Sequence, residues 1–94
     1  MVQKPLFEVY LCVTPGKPFP WSVSRTHHYD SAVHAFSELV NCHVFDRTEV
    51  LVVLRKGTQI LAVHRFADEA GMHDHWRGRS HSLLEIPQQG TRDR

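Results

Sequence analysis

The residues with the greatest capacity for chemistry lie in one stretch, Gly71–His81, which reads GMHDHWRGRSH. On an extended backbone His73 and His75 point the same way, which suits chelation, and His81 could supply a third ligand after a loop. A zinc ion with an open fourth position is therefore one hypothesis. The alternative is an exposed histidine-rich loop, because no second Cys or His pair stands at zinc-finger spacing. We therefore assign no metal and no cofactor.

Nucleophilic catalysis has weaker support. Cys42 adjoins His43, and Cys12 lies in an alternating apolar segment. A reactive thiolate needs an activating base within hydrogen-bonding distance, which adjacency along the chain does not provide. The sequence contains no nucleophile elbow, P-loop or dinucleotide-binding glycine motif. We predict that the protein is not an enzyme and that both cysteines are buried free thiols.

Nucleic-acid binding is a second hypothesis, because arginines near an exposed aromatic ring can contact phosphate and stack on unpaired bases. The basic residues are Arg55–Lys56, His64–Arg65, and a segment that contains Trp76, Arg77 and Arg79. The net charge is only +1 with histidines neutral. A strong nonspecific DNA binder is normally much more basic, so nucleic acid is not the favoured partner.

The elements that position these residues follow from hydrophobic periodicity. Residues 7–14, FEVYLCVT, alternate and predict a strand that stops at the PGKP turn. The next stretch, 18–29, is either a short edge strand that pairs back on the first strand or a loop. Residues 31–44 have helical periodicity; His43 falls on the apolar stripe, Asp30 is the expected N-cap, and Asn41 or the following residues end the helix.

Residues 49–66 predict a β-hairpin in which Lys56–Gly57–Thr58 forms the turn. The run Val50–Leu54 is apolar at every position, which is typical of a strand covered on both faces. One helix covers only one face of a small sheet. The C-terminal segment, a second copy of the chain or a protein partner must then cover the other face.

The chain of 94 residues fits one domain with a small core. We expect an α+β fold, with a small antiparallel sheet of three to five strands and one helix packed on one face, in the order β-(β)-α-β-β-(β). The expected domain spans residues 1–87; residues 82–87 supply a last strand or covering arm, and residues 88–94 a flexible tail. The sequence has no transmembrane run and no signal-peptide pattern, so we expect a cytoplasmic protein without a membrane partner.

In size and in its strand–helix–hairpin order the chain resembles small phage-borne inhibitors such as anti-CRISPR proteins; no specific residue carries the resemblance. It implies a partner within a nucleic-acid-targeting defence complex, blocked at a protein surface. From the residues themselves we predict a non-enzymatic protein-binding module, or a homodimer, because aromatics and arginines in irregular segments resemble interface hot spots. The expected partner-binding residues are Trp21, Arg55, Lys56, Arg65, Trp76, Arg77 and Arg79. The alternatives are the nucleic-acid-binding regulator and the zinc protein.

Overall fold

The computed structural model describes residues 5–14, 16–68, 75–77 and 83. These residues form four antiparallel strands and one α-helix, so the predicted α+β class is confirmed. The sheet order is β2-β1-β3-β4. The elements are β1 (Phe7–Cys12), β2 (Ser24–Thr26), α1 (Tyr29–Val40), β3 (Leu51–Lys56) and β4 (Gln59–Arg65), with short 3₁₀ turns at Pro20–Ser22 and His43–Phe45.

Some predicted features lie outside the described residues. The predicted tail, 88–94, is among them, as is all of the predicted last strand, 82–87, except Leu83, which is buried. In the stretch 18–29, the edge-strand alternative is confirmed for β2, which pairs antiparallel with β1. The residues just before it form a 3₁₀ turn in place of further strand.

Helix α1 begins at Tyr29, earlier than expected from a cap at Asp30. The prediction of Asp30 as the N-cap is wrong, because the helix begins at Tyr29 and His28 occupies the cap position. The Thr26 hydroxyl accepts the His28 N–H at 3.1 Å, which sets the turn before the helix. Asp30 lies in the first turn, where a negative charge still interacts favourably with the helix dipole.

The helix ends where the sequence predicted, with Asn41 at its C-terminal cap. The Ser37 carbonyl accepts both the Asn41 backbone N–H at 3.0 Å and the Asn41 side-chain amide at 2.8 Å, which fixes the end of the helix. The placement of His43 on the apolar stripe is wrong, since His43 lies beyond this cap in the second 3₁₀ turn and is mostly exposed.

The predicted hairpin is confirmed. Strands β3 and β4 are joined by Gly57 and Thr58, and Gly57 has a φ of 58°, a conformation that glycine adopts without the steric cost of a Cβ. The register shifts between Leu54 and Arg55, which indicates a β-bulge. Beyond this bulge, Arg55 lies opposite Ile60.

The main core lies between α1 and one face of the sheet. Alternate residues of the strands meet the apolar side of the helix there, as the period of two requires. The buried residues of this core are Phe7, Val9, Leu11, Ala32, Val33, Phe36, Val40, Val52, Leu54, Ala62, Phe66 and Leu83.

The opposite side of the sheet, which we call the second face, carries the other alternate residues of the four strands. Tyr10, Cys12 and Val53 are buried on it, so the prediction that β3 is covered on both faces is confirmed. Helix α1 packs on the other face, and Gly16 and Pro18 of the loop before β2 border a cavity beside Tyr10 on this one. The members of the second face are Glu8, Tyr10, Cys12, Val23, Arg25, Leu51, Val53, Arg55, Ile60, Val63 and Arg65.

Candidate functional site

The fold separates the predicted partner-binding residues into two groups. Arg55 and Arg65 lie on the second face of the sheet, opposite Ile60 and Leu51 respectively. Trp76 packs on the helix side, where its ring meets the edge of Phe36 with the centroids 6.2 Å apart. The two groups therefore lie on different sides of the sheet.

Two further predicted residues lie apart from both groups, Lys56 at the hairpin end of β3 and Trp21 in the first 3₁₀ turn. Lys56 closes the hairpin and pairs with Gln59. Trp21 lies in the 3₁₀ turn before the edge strand β2, and 71% of its surface is exposed. Its ring stacks on Phe19 at 5.6 Å. Arg79, the last residue of the predicted set, lies outside the described residues.

Residues 75–77 form a short segment that binds back onto the core. His75 is largely buried, and its Nδ1 donates a hydrogen bond to the Asp68 carbonyl at 3.1 Å. The Trp76 N–H donates to Nδ1 of His64 at 2.9 Å. Because that nitrogen accepts a hydrogen bond, neutral His64 carries its proton on Nε2. The ring centroids of His64 and His75 lie 4.9 Å apart.

This arrangement bears on the zinc hypothesis. The Nε2 atom of His64 carries a hydrogen and so offers no lone pair to a metal. His75 could present its own Nε2, but His73 and His81 lie outside the described residues. Within the part of the chain that is described, no group of three His, Cys, Asp or Glu side chains could hold a metal ion.

The sequence grouped His64 with Arg65 among the basic residues of a nucleic-acid surface, and that placement is wrong because His64 is a core residue. Its side chain is fully buried, and its Nε2 has no hydrogen-bond partner among the described residues. Burial, followed by the nearby charges of His75 and Arg77, lowers the pKa of His64 to about 4. The alternation of β4 could have revealed it, since His64 shares the parity of Ala62 and Phe66, which are both core residues.

Arg77 fastens the same segment to the end of α1. Its Nε and Nη2 atoms donate to the Val40 carbonyl at 3.1 and 2.9 Å, in the last turn of the helix. Its Nη2 also pairs with Asp46 at 2.7 Å. The hydrogen bonds from Arg77, followed by that from His43, lower the pKa of Asp46 to about 2. Arg77 is thus a structural residue in the described fold.

A cavity of about 590 Å³ lies beside this segment. Its lining carries two carboxylates, Asp46 and Asp68, and two guanidinium groups, those of Arg47 and Arg77. The cavity is therefore nearly neutral. The lining residues are Asp46, Arg47, Phe66, Ala67, Asp68, His75 and Arg77.

The cysteines show no arrangement for nucleophilic chemistry. Both thiols are free, as predicted, but only Cys12 is buried; Cys42 is half-buried at the end of α1, so its predicted burial is wrong. Burial raises the pKa of the Cys12 thiol, which disfavours the reactive thiolate.

The second face carries a charged row at one end and an apolar row beside it. Glu8 on β1 lies between Arg25 on β2 and Arg55 on β3 and is ion-paired with both. The Arg55 guanidinium also lies over the Tyr10 ring, 5.8 Å from its centroid. The hydrogen bond from Arg55, followed by that from Arg25, lowers the pKa of Glu8, so this carboxylate is charged at neutral pH.

No protein-family profile, curated protein or solved structure matches this chain. None of the described helices has both the length and the apolar character needed to cross a bilayer.

Proposed function

We propose that this protein is a non-enzymatic protein-binding module whose partner docks on the second face of the sheet and also contacts the exposed Trp21. One observation carries the proposal: the face away from α1 joins half-exposed apolar side chains to a row of arginines. Ile60 is 52% exposed there, and Leu51 and Val63 are partly buried beside it. Trp21, in the 3₁₀ turn that precedes β2 along the chain, adds a large exposed ring that stacks on Phe19.

This combination of exposed apolar side chains, arginines and a tryptophan is more typical of a protein interface than of an ordinary surface. Aromatic residues and arginines are enriched at protein interfaces and carry much of the binding energy. An exposed tryptophan that already stacks on Phe19 loses little conformational freedom on binding. Trp21 is therefore the residue of this surface from which we expect the largest single contribution to binding.

The pairing of the arginines favours a protein over nucleic acid. In the described structure Arg55, Arg65 and Arg77 each have a carboxylate partner, respectively Glu8, Asp68 and Asp46. Each pair partly cancels the positive field that a phosphate backbone requires. We therefore keep the nucleic-acid-binding regulator as the alternative function.

The resemblance in size and element order to phage-borne inhibitors suggests the partner class. We propose that the partner is a subunit of a nucleic-acid-targeting defence complex, blocked sterically in the cytoplasm. A second copy of this chain on the same face is the competing partner, and sedimentation velocity of the purified protein distinguishes the two. A monomer at micromolar concentration favours a different protein.

Two matched substitutions test the surface. Ile60→Arg introduces a charge on the second face, whereas Val44→Arg introduces the same charge at a position that is 79% exposed in the second 3₁₀ turn. We expect affinity capture from lysate of the source cells to retain one protein with the wild type and with Val44→Arg. Ile60→Arg should reduce its recovery at least about tenfold, because a buried charge in an interface core costs more than about 1.4 kcal/mol.

The control for folding is the thermal melt of each variant, which should stay close to the wild type because both positions are exposed. Equal capture by Ile60→Arg and the wild type would show that the partner does not use the second face. Loss of capture in both variants would contradict the proposal, because it would show that the loss does not depend on the second face.

The salt dependence of binding distinguishes the alternative function. A protein that neutralises several phosphates loses affinity by orders of magnitude when salt rises from about 50 to 200 mM. We expect capture by the wild type to change little over that range and to survive nuclease treatment. A steep loss with salt, or loss on nuclease treatment, would favour the nucleic-acid-binding regulator.

A further inference from the structure

Two arginines on the second face share a single carboxylate. Arg25 donates from Nε to Glu8 Oε2 at 2.7 Å, and Arg55 donates from Nη2 to Oε1 of the same side chain. Each guanidinium has five N–H donors, and Glu8 accepts from only one nitrogen of each. The cluster therefore carries a net positive charge and most of its donors are unused by Glu8.

Both arginines also line a small cavity. It measures about 120 Å³, about the space of four water molecules at ~30 Å³ each, and its walls include Gly16, Pro18 and Val23. Arg25, Arg55, Glu8 and Tyr10 line the rest. Within the described residues, Glu8 is the acceptor for one nitrogen of Arg25 and one of Arg55, so both guanidinium groups keep further donors at this site. The two guanidinium groups outnumber the one carboxylate, so the cavity favours a further anionic acceptor between them.

We propose that this cavity is a carboxylate-recognition site, which takes an aspartate or glutamate side chain of the protein partner between Arg25 and Arg55. The inference rests on the proposed function, because it places the carboxylate on the same second face. A second carboxylate would complete an alternating arrangement of two guanidinium and two carboxylate groups. Forked guanidinium donors match the two oxygens of a carboxylate in one plane.

The surroundings favour a protein carboxylate over a phosphate. The apolar side chain of Val23 and the ring of Tyr10 border the cavity, and Val53 and Val63 lie farther along the face. Such neighbours suit apolar side chains that flank an acidic residue in a protein segment. Glu8 would repel the larger charge of a phosphate more strongly than that of a carboxylate.

Proton–nitrogen NMR of the arginine Nε–H groups tests the site directly. The probe is glutamate capped at both termini, N-acetyl-glutamate α-amide, which has one side-chain carboxylate. The matched neutral probe is the capped glutamine, and inorganic phosphate is a third. The signals of Arg25 and Arg55 report the site, and Arg65, at the far end of the same face, reports nonspecific ionic effects.

We expect capped glutamate to shift the Arg25 and Arg55 signals saturably, and capped glutamine to leave them unchanged. The Arg25→Lys variant keeps the charge but loses the fork, so the dissociation constant measured at Arg55 should rise about tenfold. Arg65→Lys should leave it unchanged. Arg25 is 61% exposed in its side chain, so neither variant should disturb folding.

Three results would overturn the proposal: no saturable shift with capped glutamate, an equal shift at Arg65, or tighter binding of inorganic phosphate. The titration uses the protein alone and needs no partner. It can therefore fail while capture through Ile60 succeeds, or succeed while capture fails, so the two proposals are tested separately.

Discussion

Replacing Arg77 by methionine should lower the free energy of unfolding by about 2–3 kcal/mol. Methionine keeps an apolar stem but removes the donors that satisfy the Val40 carbonyl at the end of α1. Hydrogen bonds from a charged group contribute about 1.5–3 kcal/mol, and a cation at a helix C-terminus adds a further favourable term. The side chain is only 23% exposed, so solvent screens these contacts weakly.

The matched control is Arg65→Met, which removes another arginine in a weaker arrangement. Arg65 is 51% exposed, and its Nε lies 3.6 Å from Asp68. Exposed pairs of this kind contribute about 0–1 kcal/mol. Urea unfolding of both variants measures the difference. Equal losses of stability would contradict the structural role of Arg77 and return it to the candidate binding surface.

The second large effect is a dependence of stability on pH that comes from His64. Its pKa is about 4 in the folded protein and near 6.5 when the chain unfolds. Below pH 6.5 the unfolded chain therefore binds a proton that the folded protein does not. Stability is complete above pH 6.5 and falls as the pH drops toward 4, by up to about 3 kcal/mol over the whole window.

The geometry explains why protonation is unfavourable in the fold. Protonated His64 would direct an N–H from Nδ1 toward the Trp76 N–H, which is itself a donor. The segment 75–77 would then lose one of its attachments to the core. His75 and Arg77 add positive charge nearby, and the carboxylates of Asp46 and Asp68 offset it only in part.

His64→Asn isolates this contribution. Asparagine can still accept the Trp76 N–H through its side-chain oxygen, but it does not titrate. We expect the variant to be less stable at pH 7 because of the lost ring volume, and to lose less stability than the wild type between pH 6.5 and 4. Urea unfolding over this range compares the two slopes. Parallel slopes would contradict the buried, neutral state of His64.

Local sequence patterns were sufficient to predict the main strands and the helix of the fold. The alternation of FEVYLCVT, the helical period after Asp30 and the glycine at position 57 predicted β1, α1 and the hairpin, because each depends on neighbours along the chain. The N-cap prediction was wrong because hydrophobic periodicity carries no information about local hydrogen bonds. The Thr26 hydroxyl accepts the His28 N–H, and the helix starts at Tyr29.

The candidate site depends on register and on long-range contacts, and the sequence predicted it only in part. The uniformly apolar run of β3 correctly indicated a strand buried on both faces. The pairing of Glu8 with both Arg25 and Arg55 requires the register of three strands, which no single segment specifies. Arg77 and Val40 are far apart in the chain, and their contact forms only when the segment 75–77 folds back.

Hydrogen exchange of the complex with the captured partner tests the central claim most directly, namely that the partner occupies the second face and contacts Trp21. We expect new protection of backbone amides in residues 20–26 and 59–65, which contain the two edge strands of the sheet. Residues 43–48, beyond the end of α1, should exchange as in the free protein. Protection confined to residues 43–48 and 75–77 would contradict this account and place the partner on the opposite side of the molecule.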